Sequence, residues 1–291
     1  MRYEGTVYRP PSEANSVLIQ ATIGCPHNKC TFCAMYKGTK FRLRPIEELK
    51  EDILMARDYY GTGIRSMFFP DGNTIIMKTE DLVQVFQFAK SVFPDLERIT
   101  VYGSSRYVNK KSAEEMIRLR EAGLNRIHMG MESGDDVTLE RIQKGTTAEQ
   151  IIEAGLKIRQ AGIDMSEYYL VGIGGRSRTR DHAQESARVL SAIKPEFIRL
   201  RTLVPIPGTP LYQQWKNGEF ELLTPHEALR EIRWLIECLD APGSTVLSDH
   251  VSNYWNIQGR MNEDRQVMLD TIDHALTIGE DRFRPNHLSA L

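Results

Sequence analysis

Cysteine is scarce in this chain: there are four in 291 residues, and three of them fall in one short stretch. So few thiols, so unevenly placed, exclude a framework of paired and dispersed disulfides. Long apolar runs are also missing, since none approaches the roughly 20 residues that a membrane span needs. The opening residues Met1-Arg-Tyr-Glu-Gly5 lack the apolar stretch of a secretory signal. Charge of one sign is not in excess: 37 basic against 39 acidic residues leave a net charge of -2. That balance gives no global attraction to nucleic acid or to an anionic membrane. There is no low-complexity segment and no internal repeat beyond an alternation of short apolar runs with amphipathic stretches. These absences lead us to expect a cytoplasmic chain with reduced thiols and no membrane partner.

What is present begins with Gly24-Cys-Pro-His-Asn-Lys-Cys-Thr-Phe-Cys-Ala-Met-Tyr36, which holds Cys25, Cys30 and Cys33 at x4 and x2 spacing just after an apolar run. Three thiolates this close can surround one soft metal centre but cannot fill four positions, so a cluster with one open iron is the consequence. A tetrahedral zinc site using His27 as fourth ligand is the alternative, but that ring would have to turn back on the metal from inside the x4 loop. The fourth cysteine, Cys238, follows a capping box at Thr224-Pro-His-Glu227 and the apolar stripe Leu229, Ile232, Ile236, Leu239. We expect it to be a buried spectator.

Short apolar or β-branched runs recur at about 17–23, 64–69, 97–103, 125–130, 164–172 and 196–203, separated by amphipathic helical sequence. Apolar positions 46, 49, 53, 56 and 60 give the first helix a stripe, and Ser112-x-x-Glu115 and Thr147-x-x-Gln150 read as capping boxes. Alternation of this kind favours a parallel sheet covered by helices. It does not by itself separate an open doubly wound sheet from a barrel. The length suits either, since α/β barrels of about 250 residues form one unit.

Every unusual loop follows one of these runs, where parallel barrels put their chemistry. The cysteine loop follows the first, Pro70-Asp71-Gly72-Asn73 the second, Gly103-Ser104-Ser105-Arg106 the third and Gly130-Met-Glu132-Ser133-Gly134 the fourth. Gly172-Ile-Gly174-Gly175 follows the fifth, and Arg199-x-Arg201 ends the sixth. Glycines make turns and Glu-Ser-Gly caps helices without any further role. Six polar, tight-turning loops at equivalent places are harder to assign to turns alone.

The cysteine spacing resembles the signature of the radical S-adenosylmethionine (radical SAM) superfamily, with a loop one residue longer than the usual x3 and x2; Phe32 before the third cysteine matches that family's habit. The resemblance implies a partial (β/α)6 TIM-type barrel, a [4Fe-4S] cluster on Cys25, Cys30 and Cys33, and SAM held by its amino and carboxylate groups on the fourth iron. Asp71 and Gly72 take the place of the Gly-Gly-Glu element that binds the SAM amino group. Gly130-x-Glu132-Ser133 looks like an element of the methylthiotransferase, Elongator-like and coproporphyrinogen-oxidase-like branch, where Pro207-Gly-Thr-Pro-Leu-Tyr212 also recurs. Gly172 and Gly174 are similar to the motif approaching adenine, and Ser104 and Arg106 complete the implied cofactor-binding set. The activity implied is reductive cleavage of SAM to a 5'-deoxyadenosyl radical that abstracts hydrogen, with an electron donor such as flavodoxin or ferredoxin, in an oxygen-sensitive enzyme. Ala34 and Met35 follow Cys33 where coproporphyrinogen oxidase has a further cysteine, so porphyrin decarboxylation is not assigned.

We divide the chain into an N-terminal extension (1–15), a radical SAM partial barrel (16–212) and a C-terminal helical extension (213–291) covering the barrel opening, with helices near 225–240 and 262–278. Candidate catalytic residues are His250 and Asn253 in the stretch between those helices, and Arg199 and Arg201, which alternate in phase on one strand and so point to one side. Together with the basic loop Arg176-Ser-Arg-Thr-Arg180 they suit a carboxylate or phosphate on a small-molecule substrate. Loop pinning by His250 and Asn253, and surface ion pairs by the arginines, are the alternatives. A tRNA base as substrate is the lesser reading on net charge. An iron-sulfur sensor or carrier that binds SAM without turnover is the reading from another class. Residues Pro285 to Leu291 read as a loose tail.

Overall fold

A computed structural model describes residues 1–283; the tail expected at 285–291 lies outside the described residues. The elements run β1 (Val17–Leu18), β2 (Thr22–Ile23), β3 (Arg42–Leu43), α1 (Ile46–Tyr60), β4 (Ser66–Phe69), α2 (Thr79–Val92), β5 (Arg98–Gly103), α3 (Ser105–Val108), α4 (Ala113–Ala122), β6 (Leu124–Glu132), α5 (Asp136–Arg141) and α6 (Ala148–Gln160). They continue β7 (Asp164–Val171), α7 (Thr179–Ile193), β8 (Phe197–Thr202), α8 (Pro210–Lys216), α9 (Pro225–Cys238), β9 (Thr245–Leu247), β10 (Gln258–Arg260) and α10 (Arg265–Leu276). Eight strands form one sheet in the order β1-β4-β5-β6-β7-β8-β9-β10. The registers of β1 with β4, β4 with β5, β5 with β6, β7 with β8 and β8 with β9 are parallel, and β9 with β10 is antiparallel. This is an α/β fold whose successive strand-helix units are those of the partial (β/α)6 TIM-type class.

The chain divides into two compact units, the first Met1–Asn28, Tyr36–Met129 and Leu156–Met165, the second Lys29–Met35, Gly130–Gly155 and Ser166–Leu291. In the first, the β4 residues Met67, Phe68 and Phe69 are fully buried, as are Leu49, Ile53 and Ala56 of α1 and Leu82, Val85 and Phe86 of α2. The expected α1 stripe thus holds in its middle, while Tyr60 at its end is 49% exposed. The N-terminal segment is fastened by a buried carboxylate. Glu13 accepts from Ser16 Oγ at 2.6 Å, meets His128 Nε2 at 3.2 Å and pairs with Arg98 at 3.2 Å.

The first apolar run, expected as one strand over 17–23, is split. β1 stays in the sheet, and Ile19 still donates to Phe68 O at 3.0 Å. β2 leaves it to pair antiparallel with β3, Thr22 opposite Leu43 and Ile23 opposite Arg42. The departure has a physical use, because that two-stranded ribbon closes both ends of the cysteine loop.

In the second unit Ile142, Leu170, Ile173, Leu203 and Leu211 form a buried apolar cluster, with Phe32, Phe220 and Leu222 packed on it. The capping boxes at Ser112 and Thr224 are both closed, and Thr147 and Gln150 bond reciprocally at 3.3 and 3.1 Å. Two differences follow residue 212. The region holds β9 and β10 besides its helices, short segments whose three residues are too few to show a period in the sequence. Cys238 is exposed rather than buried, because the buried face of α9 carries Leu229, Ile232, Leu235 and Ile236, and a residue two past Ile236 turns about 200° away from it. Among the described residues no helix is long and apolar enough to cross a membrane.

Candidate active site

In the first unit Cys25 lies with the loops after β4 and β5. Gly24 has a φ of 76° and Asp71 one of 74°, and the two turns interlock. Gly72 N donates to Gly24 O at 3.1 Å, and a side chain on Gly72 would meet Cys25 Cα and Cβ and Gly24 O, each at 2.8 Å. All three are backbone or backbone-proximal atoms that cannot swing aside, so only glycine lets the second loop lie this close to Cys25. Asp71, 2% exposed, accepts from Gln20 Nε2 at 2.8 Å and Gly24 N at 3.3 Å. Burial pushes its carboxyl up to about 6, against the lowering by its hydrogen bonds from Gln20, Gly24 and Tyr36. Asn28 N donates to Cys25 Sγ at 3.4 Å. Ser104 accepts from Asn73 Nδ2 at 2.8 Å, and Arg106 meets His27 Nδ1 at 3.4 Å.

The second unit holds Cys30 and Cys33. Their turn is clamped from both sides of Thr31, whose N–H donates to Ile142 O at 2.9 Å and whose carbonyl accepts from Leu211 N at 3.0 Å. The Pro207–Tyr212 motif therefore has a local task, to present Leu211 to this turn. Phe32, expected as a cofactor contact, packs against the apolar cluster and anchors the turn; Lys144 Nζ lies 6.0 Å from its ring centroid.

Lys144 is the centre of a group of charges that the sequence reading did not single out. Its ammonium pairs with Glu132 at 3.1 Å, the two side chains being 15% and 17% exposed. Burial alone would lower the Lys144 pKa, but Glu132, Cys30 and Cys33 outweigh it and raise it, so the side chain stays cationic. Glu132 is held at a φ of 64°, and a side chain at Gly130 would collide with its carboxylate. Beneath lies Glu167 of β7, fully buried. One oxygen accepts from Met131 N at 3.1 Å, and the other, Oε1, has no hydrogen-bond partner among the described residues. Burial pushes this carboxyl well up, with Lys144 opposing and Glu132 adding to the shift. A glutamate inside the strand sequence Asp164-Met-Ser-Glu-Tyr-Tyr-Leu-Val171 was the signal that could have found it.

The remaining candidates have local partners. Ser133 is fully buried, with its hydroxyl 2.8 Å from His182 Nδ1 and accepting from Asp135 N at 3.0 Å. Gly172 needs glycine for its φ of 84°, and a side chain on Gly174 would press on His182 Cβ at 3.0 Å. Asn253 donates to Leu200 O at 2.8 Å and Ser248 O at 3.0 Å and accepts from Thr202 Oγ1 at 3.0 Å, which makes it a loop pin. His250 Nδ1 meets Ser252 Oγ at 2.8 Å. Arg199 donates to Ser166 Oγ at 3.1 Å and faces Asp249 at 3.8 Å, while Arg201 lies over the Tyr168 ring at 4.7 Å. In the basic loop Arg176 pairs with Glu221 and Glu227, Arg178 forks onto Asp135, and Arg180 covers Trp234.

Among the described residues no three His, Cys, Asp or Glu side chains gather closely enough to hold a single metal ion, as the zinc reading would require. The donors offered are three cysteine thiols of one loop, none in a disulfide, which is the chemistry of an iron-sulfur cluster with one iron left to a small ligand. A half-buried cation, an adjacent carboxylate and a buried carboxyl group suit the zwitterionic end of an amino acid. Both groups, [4Fe-4S] and SAM, fit the residues present.

The sequence profile described as the radical SAM superfamily matches residues 19–190. An uncharacterized protein, MJ0486, of Methanocaldococcus jannaschii is 24% identical over 255 residues, 84% of this chain and 73% of the relative. An uncharacterized methyltransferase, PH0819, of Pyrococcus horikoshii is 23% identical over 198 residues, 67% of this chain and 41% of the relative. The crystal structure of methylornithine synthase (PylB) superposes with a TM-score of 0.54 at 17% identity, over 88% of this chain and 68% of that one. The chain thus spans less than half of the second relative's length.

Proposed function

The chain belongs to the radical SAM superfamily, and from that premise we propose that it binds one [4Fe-4S] cluster through Cys25, Cys30 and Cys33 and cleaves SAM reductively to abstract hydrogen from a small-molecule substrate carrying an anionic group. When bound, the cluster and SAM supply a one-electron cleavage of a carbon–sulfur bond and a hydrogen-abstracting radical. The chain's residues bind, orient and shield. The observation that carries the reading is the Lys144–Glu132 pair, half-buried, with Lys144 also raised in pKa by Cys30 and Cys33. Lys144 would hold the carboxylate of the SAM methionyl group and Glu132 its ammonium, with the buried Glu167 carboxyl adjoining the pair. Gly172 and Gly174 keep side-chain bulk away from the adenine. On the other unit, Gly72 and Asp71 hold the turn that presents Cys25.

Arg201 supports an anionic substrate, because its guanidinium rests on a ring rather than on a carboxylate. Arg199, already facing Asp249, sets the edge of that site. The electron comes from a protein such as flavodoxin or ferredoxin, and the thiolates need a reducing compartment such as the cytoplasm.

The test is anaerobic incubation of the iron-loaded chain with SAM and dithionite, with 5'-deoxyadenosine and methionine quantified. We expect both in equal amounts, above the background of the Cys33→Ala variant. A fully loaded chain that binds SAM and forms neither would replace this reading with that of a sensor or carrier.

A further inference from the structure

Helix α9 lies outside residues 19–190, the part matched to the family, yet it places a carboxylate in the middle of the second unit. Glu231 is fully buried. Its Oε1 accepts from Tyr169 Oη at 2.8 Å and from Gly172 N at 2.8 Å, and its Oε2 accepts from Thr179 Oγ1 at 2.6 Å. His182 stacks on Tyr169 with ring centroids 4.6 Å apart and 7° between planes, and its Nε2 lies 3.5 Å from Glu231 Oε1 and 3.3 Å from Leu170 O. Both Nε2 neighbours are acceptors, so that nitrogen carries the proton and Nδ1 accepts from Ser133 Oγ at 2.8 Å. Ser133 Oγ in turn accepts from Asp135 N, which leaves its own hydrogen free for His182. Hydrogen bonds therefore run from Ser133, in the turn after Glu132, through the imidazole to Leu170 O, with Glu231 Oε1 at 3.5 Å from the same nitrogen and bonded to Gly172 N.

Resting on the radical SAM reading, we propose that Glu231 is a positioning residue for SAM. Through His182 and Ser133 it fixes the turn carrying Glu132, and through the Gly172 N–H it fixes the turn beside the adenine. A carboxylate that accepts three hydrogen bonds, from Tyr169, Gly172 N and Thr179, defines their geometry narrowly. Charge buried at such a place has no surface role.

The experiment uses the full chain, iron-loaded, as wild type, Glu231→Ala, Glu231→Gln, Ser133→Ala and the double variant Glu231→Ala with Ser133→Ala. Iron and sulfide content, SAM titration followed by the spectrum of the reduced cluster, and backbone hydrogen exchange at 131–135 and 172–175 are measured. We expect Glu231→Ala to keep the cluster, to weaken SAM binding about tenfold and to speed exchange in both turns together. Ser133→Ala weakens SAM by a similar factor, the double variant is no weaker than the worse single one because both act through His182, and Glu231→Gln recovers most of the affinity. SAM affinity unchanged in Glu231→Ala, or losses that multiply in the double variant, would overturn the proposal. Should Glu231→Ala not fold, Ser133→Ala and Glu231→Gln carry the same test. If wild type holds its cluster but binds no SAM, the radical SAM reading fails and this proposal with it, whereas SAM bound by wild type and equally well by Glu231→Ala overturns the proposal alone.

Discussion

The two units prepare their cysteines by different physics. Around Cys25 the first unit works by steric closeness: Gly72 approaches so tightly that a single Cβ would overlap Cys25 and Gly24, and a carboxyl with a raised pKa, Asp71, pins the turn. Around Cys30 and Cys33 the second unit works by charge, with Lys144 and Glu132 paired over a buried acid and the turn itself held by two backbone hydrogen bonds on Thr31. The first arrangement resists any added atom and tolerates changes of charge. The second tolerates modest changes of volume and resists any change of charge. Ligand sets made from one loop need not be held by one kind of force.

That contrast can be broken most forcefully at the ligands. Cys30→Ala should remove the cluster, read as loss of nearly all bound iron and of the visible absorption after anaerobic reconstitution. The steric half is probed next by Gly72→Ala, which adds one carbon and no charge. It should lower unfolding stability by about 1–3 kcal/mol in chemical denaturation and cut cluster occupancy, whereas Gly63→Ala, where nothing lies within 4 Å, should do neither. In the electrostatic half, Lys144→Met nearly conserves volume but leaves Glu132 without its cation. It should cost about 3 kcal/mol and most of the SAM affinity, and adding Glu132→Gln should restore stability but not affinity. If Lys144→Met binds SAM normally, charge is not what the second unit supplies.

The smallest expected effect concerns acid. Burial alone would raise the Glu13 pKa, but hydrogen bonds from His128 and Ser16 and the charge of Arg98 bring it below its usual 4.5. Its folded value being depressed, the unfolded chain binds more protons, so the stability it contributes is present above about 4.5 and is lost as pH falls through the folded value. A Glu13→Gln variant should therefore be less stable than wild type near neutral pH, with the difference narrowing below about pH 4.5 in urea melts.

The sequence made the strand-helix order legible because the apolar runs were flanked by turn residues and three helices opened on capping boxes at Ser112, Thr147 and Thr224. It also exposed the cysteine spacing, and the glycines whose close approach or positive φ the structure displays at Gly72 and Gly172. It concealed Lys144, since a lysine before a glycine reads as a solvated turn until Glu132, twelve residues earlier, is folded against it. Glu231 was hidden in the same way: on a helical wheel it sits beside the apolar stripe of α9 as one more charged residue, and only tertiary structure gives it Tyr169, Gly172 and Thr179. The strands β9 and β10 were too short to carry a period. Asn253 was visible but ambiguous, and the structure gives it two backbone carbonyl partners, Leu200 O and Ser248 O.

The central claim is that these thiols hold a cluster whose open iron meets SAM beside Lys144. It is tested most directly by electron paramagnetic resonance of the anaerobically reconstituted, dithionite-reduced chain with and without SAM. The account predicts a [4Fe-4S]+ signal that shifts when SAM is added and is absent from Cys30→Ala. A strong cluster signal indifferent to SAM, or a colourless chain retaining stoichiometric zinc, would contradict it.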